Sequence, residues 1–322
     1  MKRISISPPV AALLLAVVLF LLSGLLAQGY GSNVKVAVAQ ATNILRLAVF
    51  LGVIGAGQTL VIISGYEGID LSAGSVVTLT AILTYVIVKG VDDKVMIALL
   101  VSLAVGALIG FLNGVGITFL KISPFVMTLG MAGVVTGVVI ILNHGNVQGK
   151  IAPIMTRLIA RPLAPNIPIP NAIIIWLIFG LLMWLLLERT TFGKHLFAIG
   201  VNRITAKLSG VNVTGMNLAT YALAGMLAGF AGFLVVGNTG VVLINLGQPF
   251  LFPSIAAVAV GGTLLSGGKG SYWGTMAGAI VLTLITSLLT TMQMPESVRR
   301  MALGAILLVM ISIYGRQRAL RQ

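Results

Sequence analysis

The chain has 322 residues, of which 58% are apolar and only 8% are charged, and its net charge is +14. A soluble domain carries about 25% charged residues, so this composition excludes an ordinary soluble fold. The chain contains no cysteine, which excludes disulfides and thiolate chemistry, and its two histidines are too few for a histidine-rich metal site. A barrel wall would alternate polar and apolar residues. The sequence lacks that alternation and predicts a polytopic membrane protein made of helices.

Ten apolar segments are candidates for membrane spans, since about 20 residues are needed to cross the hydrocarbon layer. They are 9–29, 42–64, 71–88, 95–119, 124–142, 170–187, 216–240, 250–265, 272–292 and 300–315. Segment 71–88 follows closely on its predecessor, and segment 250–265 is short and ends in glycines, which is typical of a broken or re-entrant helix. We therefore predict an all-α transmembrane bundle of about ten spans (8–10), forming a single domain over residues 1–322.

Basic residues at both ends set the predicted orientation. An even number of spans places the head M-K-R and the tail R-Q-R-A-L-R-Q on one side, and basic connectors favour the cytoplasm. The connector 188–214 is then cytoplasmic as well. The count of basic residues, eleven inside against nine outside, supports this orientation only weakly. Because the basic residues lie in short connectors, they indicate a lipid surface rather than a nucleic-acid partner. The longest outer connector, 143–169, contains prolines that prevent a long helix, and a lid, a docking surface and a plain linker all remain open.

The connector 188–214 carries helix signals of its own. Asn202 is a good N-cap, and Gly210 tolerates the left-handed conformation that ends many helices. A seven-residue helix is predicted between them, and its residues four apart form an apolar and a basic face: Ile204 with Leu208, and Arg203 with Lys207. Because so short a helix is marginal alone in water, we expect it to pack against something, and we interpret it as a segment gripped by a partner protein.

The run E-G-I-D-L-S-A-G-S at 67–75 places Glu67 and Asp70 between two apolar segments. A carboxylate at membrane depth costs at least about 2.5 kcal/mol, so it tends to be functional. Two interpretations are open: a tight turn in which Asp70 or Ser72 caps the next helix, or a contribution to a transport path. A catalytic acid–base pair is disfavoured, because nothing nearby supplies a nucleophile or a metal ligand.

Polar side chains within the apolar segments leave a similar choice. They can line a route for a neutral polyol, or they can form hydrogen bonds between helices. These side chains are Gln58, Thr59, Asn113, Thr128, Thr136, Asn238, Thr283, Thr286 and Ser287. The candidates for a translocation path are Gln58, Thr59, Asp70, Ser72, Asn113 and Asn238.

Small residues at spacing four predict close approach of helices, because lipid tails provide no hydrophobic drive for helix association. Both packing within one subunit and a dimer seam fit the pattern. The positions are Gly106, Gly110 and Gly114; Gly133 and Gly137; Gly225 and Gly229; and Gly270, Gly274 and Gly278.

The glycine-rich run 261–275 does not have the pattern of a phosphate-binding loop. The pattern G-x-x-x-x-G-K-[ST] requires glycine where Thr263 stands and Ser or Thr where Gly270 stands. We therefore expect no nucleotide site, no metal and no cofactor on this chain. If the chain transports a solute against a gradient, the energy would therefore have to come from a partner protein.

Several segments, spread in order over most of the chain, resemble one family. The run 67–75 is similar to the G-G-I-D-L-S-V-G-S signature of the membrane subunits of bacterial ribose-type ABC importers, with Glu67 and Ala73 as departures. The resemblance continues in K-I-S-P-F-V-M-T-L-G (121–130), T-F-G-K-H-L-F-A-I-G-V-N-R-I-T-A-K-L-S-G-V-N-V (191–213), Y-A-L-A-G-M-L-A-G-F-A-G (221–232) and G-G-T-L-L-S-G-G-K-G-S-Y-W-G-T (261–275).

This resemblance implies a permease of the bacterial inner membrane that imports a monosaccharide. The implied partners are a cytoplasmic ATPase that carries ATP and Mg, an external sugar-binding protein, a second permease copy or a sibling, and membrane lipid. The connector 188–214 would couple to the ATPase. The coupling residues are Gly193, Gly200, Asn202, Arg203, Ala206, Lys207, Leu208, Ser209 and Gly210.

Three alternatives frame this expectation. Within the family, the solute can be a nucleoside or an amino acid instead of a sugar. A stand-alone secondary carrier or channel would need a coupling-ion site, for which Glu67 with Asp70 is the one candidate. A membrane enzyme is disfavoured because the sequence offers no catalytic set.

Overall fold

A computed structural model describes residues 7–26, 34–65, 68–143, 149–164 and 167–319. The described chain is almost entirely helical. Its helices are α1 (Pro8–Leu26), α2 (Val34–Ile63), α3 (Ala73–Val88), α4 (Val95–Thr118), α5 (Pro124–Asn143), α6 (Pro153–Ile159), α7 (Asn171–Trp184), α8 (Thr191–Val201), α9 (Arg203–Leu208), α10 (Val213–Thr239), α11 (Gln248–Val260), α12 (Tyr272–Thr291) and α13 (Glu296–Ala319). A 3-10 turn covers Asp92–Lys94, and a π-helical turn, Leu185–Arg189, extends α7.

Each predicted span falls on one of these helices, which confirms an all-α polytopic membrane protein. Seven helical segments among the described residues are long and apolar enough to cross a membrane: α1, α2, α4 with the turn before it, α5, α7 with its π-helical turn, α10 and α12. Helices α3 and α11 are apolar but shorter, at 16 and 13 residues. At ~1.5 Å per residue, α11 reaches only ~20 Å, so it is too short to cross ~30 Å of hydrocarbon.

The structure corrects two of the predicted boundaries. Helix α2 begins at Val34, eight residues before the predicted start at 42. The segment 250–265 is helical only as far as Val260, and the residues after it form a turn before α12. Glu67, His144 and the charged residues at the two chain ends, Lys2, Arg3 and Arg321, lie outside the described residues.

Helices α2 and α10 form the centre of the bundle. In α2, every residue from Ala48 to Ile63 is buried. A helix that is apolar and buried on all sides belongs in a protein core rather than at a surface. By contrast, only 17% of the apolar windows in α1 and α5 is buried, so these helices lie at the periphery.

Glycines bring α4 and α10 into backbone contact. A Cβ atom added at Gly110 would overlap the carbonyl oxygen of Tyr221, and one added at Gly106 would overlap that of Gly225. From the side of α10, a Cβ atom added at Gly229 would likewise overlap the carbonyl oxygen of Ser102 in α4. The stripe in α4 therefore packs within the subunit, whereas Gly133 and Gly137 of α5 have nothing within 4 Å.

The connector between α5 and α7 folds over the end of α10. It contains α6 and an antiparallel hairpin of β1 (Pro162–Ala164) and β2 (Ile167–Pro170), in which Pro162 pairs with Pro170. Met155 and Ile159 of α6 are buried, and both contact the position of Gly237. The Asp92 carboxylate accepts a hydrogen bond from the Ile154 N–H at 3.0 Å, which ties α6 to the turn before α4.

Substitution of Gly110 tests the backbone contact between α4 and α10. We expect Gly110→Ala to lower the free energy of unfolding by about 1–3 kcal/mol, because the methyl group has no space and the helices must separate. Gly130→Ala in α5 is the matched control, since nothing lies within 4 Å of its Cβ position. Thermal unfolding in detergent measures both variants, and equal stability of the two would contradict this packing.

Candidate translocation and coupling sites

The residues just before α3 form a tightly bonded turn around Asp70. This carboxylate is buried, and its Oδ1 atom accepts hydrogen bonds from the Ser72 N–H at 2.9 Å and from the Ser72 hydroxyl at 2.6 Å. Ser72 occupies the N-cap position of α3, but its side chain makes no capping bond; of the two candidates for a cap, Asp70 is the one that accepts a backbone N–H. Asp70 stabilises the turn by accepting from the residue two positions on, as Asp commonly does in turns.

Three neighbouring helices hold this turn in place. Gln58 of α2 donates to the carbonyl oxygen of Asp70 at 2.6 Å, and Asn113 of α4 donates to the Ser72 hydroxyl at 2.9 Å. Thr128 of α5 accepts from the Leu71 N–H at 3.0 Å. Gln58, Asp70, Ser72 and Asn113 thus lie together, and they bond to one another inside the bundle.

The two other candidates for the path lie elsewhere. Thr59 is fully buried and shares a 2.7 Å hydrogen bond with Thr275 of α12. Asn238 lies near the end of α10, where its Oδ1 atom is buried and has no hydrogen-bond partner in the part of the chain that the structure describes. Of the wider polar set, Thr136 bonds to Ser75 at 3.1 Å. The structure therefore assigns Thr59, Thr128 and Thr136 to bonds between helices or their connectors.

A large cavity lies between α2, α11, α12 and α13, with a volume of about 1110 Å³. None of the six predicted path residues lines it. Amides line it at Gln40, Asn43, Asn245 and Gln248, and hydroxyls line it at Thr283, Thr286, Ser287, Thr290 and Thr291. The remaining walls are largely leucine, phenylalanine and proline, so the surface combines apolar area with neutral hydrogen-bonding groups.

The polar side of the cavity is one stripe of α12. Its hydroxyls stand at positions 283, 286, 287, 290 and 291, which is the spacing of a single helix face. This periodicity is visible in the sequence, and three of its members, Thr283, Thr286 and Ser287, were among the predicted polar groups. The facing amides come from α2 and from the connector and first turn of α11, and no sequence pattern connects those segments.

The single carboxylate among the described lining residues of the cavity is shared by two arginines. Glu296 of α13 lies 2.8 Å from Arg299 and 3.0 Å from Arg300. All three residues are at the start of α13, at one end of the cavity. The described residues contain no group of three or more His, Cys, Asp or Glu that could hold a metal ion. The cavity thus presents mainly neutral groups to a solute.

The connector between α7 and α10 contains two short helices with well-formed caps. Thr190 caps α8 by accepting from the Gly193 N–H, and Asn202 caps α9 by accepting from the N–H groups of Ile204 and Thr205. Both caps fit the preference of these residues for that position. Asn202 and Gly210 bound the helix as predicted, although α9 has six residues rather than seven.

Helix α9 ends in a motif that requires Gly210. The residue has a φ angle of +85°, which glycine adopts without steric cost. Its N–H donates to the Lys207 carbonyl at 3.1 Å, and the Val211 N–H donates to the Ala206 carbonyl at 3.1 Å. This pattern is a Schellman motif, which satisfies the last carbonyl groups of the helix.

One side of α9 packs on the protein, and another side is an exposed apolar surface. Ala206 is buried against Ile199 of α8 and Val213 of α10. Ile204 and Leu208 are 73% and 84% exposed, and Val201 at the end of α8 is 72% exposed. We call these three side chains the apolar face of α8–α9. Large apolar groups that are exposed together mark a contact site more often than an ordinary surface.

Comparison with known proteins identifies the family to which the chain belongs. Residues 40–311 match the family described as the permease component of branched-chain amino acid transport systems, so the chain belongs to this family. It is a membrane subunit of an ABC transporter and not an enzyme itself. No solved structure is significantly similar to it.

Three similar proteins are sugar permeases. The chain is 30% identical to the fructose import permease of Rhizobium meliloti over 84% of this chain and 76% of the relative. It is 33% identical to the ribose import permease of Bacillus subtilis over 84% and 82%. It is 32% identical to the galactose/methyl galactoside import permease of Escherichia coli K12 over 84% and 82%.

Two substitutions of Asp70 separate a structural role from a role in the path. Asp70→Ala removes the acceptor of two buried hydrogen bonds and should lower the free energy of unfolding by about 1–3 kcal/mol. Asp70→Asn keeps an oxygen that can accept them and should stay close to the unchanged protein in thermal unfolding. Normal stability of Asp70→Ala together with a loss of transport would instead assign Asp70 to the path.

Proposed function

We propose that the chain is the permease of a bacterial monosaccharide importer, powered by ATP hydrolysis on a partner subunit. It forms a single transmembrane domain of about ten segments (8–10 spans) over residues 1–322 in the bacterial inner membrane. Helix α11 is re-entrant, and both termini are in the cytoplasm. The observation that carries the choice of solute is the cavity, because its lining fits a neutral polyhydroxyl compound.

Amides and hydroxyls can exchange hydrogen bonds with sugar hydroxyls, and the apolar walls suit the faces of a sugar ring. A volume of about 1110 Å³ lies at or above the upper end of ordinary ligand pockets, roughly 300–1,000 Å³, as expected of a passage. A passage of this width selects weakly, so we assign most of the selection to an external binding protein. The names of the three relatives support a sugar as the solute.

The family description refers to amino acids, and the cavity argues against such a solute. A zwitterion needs a cation for its carboxylate and an anion for its ammonium group. The charged groups among the described lining residues are Glu296, Arg299 and Arg300, and both arginines pair with Glu296 at one end, so no carboxylate among them is left for an ammonium group. Desolvating an amino acid beside neutral groups would be costly, whereas a sugar has no charge to desolvate.

We assign the ATPase contact to the apolar face of α8–α9. Removal of large apolar side chains from water is the main driving force for stable protein contacts. Three such side chains are exposed here, two on the capped helix α9 and one at the end of α8. Arg203 and Lys207 lie beside them and supply basic groups to an acidic partner surface. ATP and Mg would be held by that partner, and a second permease copy or a sibling would complete the transporter.

Reconstitution in lipid vesicles tests this function. The chain, its ATPase and its binding protein are incorporated together, and uptake of radiolabelled ribose, fructose, galactose and leucine is measured with and without ATP inside. We expect ATP-dependent uptake of at least one of the three sugars and none of leucine. ATP-independent uptake by the chain alone, driven by an ion gradient, would show a secondary carrier and contradict the proposal.

Polar substitution of the apolar face tests the ATPase contact. Each buried leucine or isoleucine contributes about 1.5–3 kcal/mol, so Ile204→Asn with Leu208→Asn should weaken ATPase binding by two orders of magnitude or more, about 3 kcal/mol in total. The matched control is Ile204→Leu with Leu208→Ile, which keeps the apolar area on the same helix. Co-purification from membranes measures both variants, and full retention of the ATPase by the asparagine variant would contradict the assignment.

A further inference from the structure

The end of α8 meets two other segments of the chain mainly through the backbones of glycines. The four residues are Gly65, Gly200, Gly267 and Gly268, which we call the glycine junction. A Cβ atom at Gly267 would lie 2.5 Å from the Cα of Gly65, and one at Gly268 would lie 2.8 Å from the N–H nitrogen of Val201. A Cβ at Gly200 would overlap the carbonyl oxygen of Ile63. At Gly200, Gly267 and Gly268, no residue larger than glycine fits without moving a neighbouring backbone.

A hydrogen bond and burial hold the glycine junction together. The Gly268 N–H donates to the Ile63 carbonyl at 2.9 Å, so the end of α2 is bonded to the turn between α11 and α12. Gly65, Gly267 and Gly268 are buried. Gly268 also has a φ angle of +74°, which a residue with a side chain rarely adopts. Three chain segments are therefore in direct backbone contact, and the branched side chain of Val201 also packs against Gly268.

The glycine junction lies at one end of the helices whose other ends line the cavity. Helix α2 lines the cavity with Gln40, Asn43, Leu47 and Leu51 in its first half and reaches the junction after Ile63. Helix α12 starts beside the junction and lines the cavity with its second half, from Leu282 to Thr291. Helix α11 lines the cavity at its start and ends at Val260, just before the same turn.

We propose that the glycine junction is a rigid joint that transmits movement of α8–α9 to α2, α11 and α12 together, and so to three of the four helices around the cavity. This inference rests on the proposed function, in which the ATPase binds α9. Coupling between distant sites is carried by packed elements that move as units. Backbone-to-backbone contact transmits displacement directly, whereas a layer of side chains can absorb it by changing rotamers.

Gly200→Ala is the direct test, because Gly200 is helical, so alanine suits its backbone conformation while the added methyl group separates α8 from the glycine junction. The complete complex is reconstituted, with Gly130→Ala in α5 as the matched control. Because Gly200 adjoins Val201 of the apolar face, ATPase co-purification and ATP hydrolysis are measured for both variants, and uptake is compared per ATP hydrolysed. Uptake of the sugar that the unchanged complex imports should fall by roughly 5- to 150-fold, the range that loss of a coupling free energy gives. Uptake equal to that of the control would overturn the joint.

A cross-link provides a second test that does not depend on the folding of Gly200→Ala. The chain contains no cysteine, so Ala198→Cys with Ser266→Cys introduces the only thiols. Both residues are exposed, and a flexible bismaleimide can join α8 to the turn after α11. A rigid joint predicts that uptake continues after cross-linking, at the rate of each single-cysteine variant treated alike. Loss of uptake only in the cross-linked double variant would show that α8 slides across the turn, and would overturn the proposal.

The two ideas fail in different ways. If the unchanged complex takes up sugar without ATP, the proposed function is wrong, and there is no ATPase movement for the glycine junction to transmit. If the unchanged complex requires ATP and Gly200→Ala works equally well, the function stands and only the joint is wrong.

Discussion

Close approach of helix backbones at glycine is the constraint on which this bundle depends. Lipid tails are as apolar as leucine, so helices in a membrane gain little from hiding apolar side chains from one another. Contact then depends on dispersion and fit, which small residues improve by letting backbones touch. Gly110 brings α4 onto α10, Gly278 brings α12 onto the carbonyl oxygen of Ala257 in α11, and Gly200 brings α8 onto α2. The first two contacts hold the bundle, and the third connects it to the segment that we assign to the ATPase.

Polar groups in the membrane domain divide into two sets with different environments. Around Asp70 they bond to one another, because a buried polar group without a partner is costly. Along α12 the hydroxyls of Thr283, Thr286 and Ser287 also face the cavity, where a solute can provide partners. The threonines among them donate back to the carbonyl four residues earlier, which satisfies the donor and leaves the oxygen as an acceptor. The turn around Asp70, which stabilises the fold, and the α12 side of the cavity, which can contact a solute, are therefore built from similar polar residues.

Local features of this fold follow from the sequence, and the position of the cavity does not. Asn202 and Gly210 each act on their own backbone, so both ends of α9 are predictable within a residue. The stripe of hydroxyl groups along α12 can also be predicted, because all of its residues belong to one helix. The amides of Gln40 and Gln248 reach the cavity only through the packing of α2 against α11, which no short pattern encodes. The same holds for Gln58 and Asn113, whose placement inside the bundle depends on the path of the turn before α3, and for the match of Gly200 with Gly268.

The central claim is that α8 and the adjoining ends of α2, α11 and α12 move as one body while the cavity changes width. Pairs of spin labels on introduced cysteines, read by electron resonance in the reconstituted complex, measure this most directly. One pair, at Ala198 and Ser266, spans the glycine junction, and a second pair, at Asn43 and Gly304, spans the cavity between α2 and α13. Between the nucleotide-free and ATP-bound states, the account predicts an unchanged first distance and a changed second one. A first distance that changes while the second stays constant would contradict it.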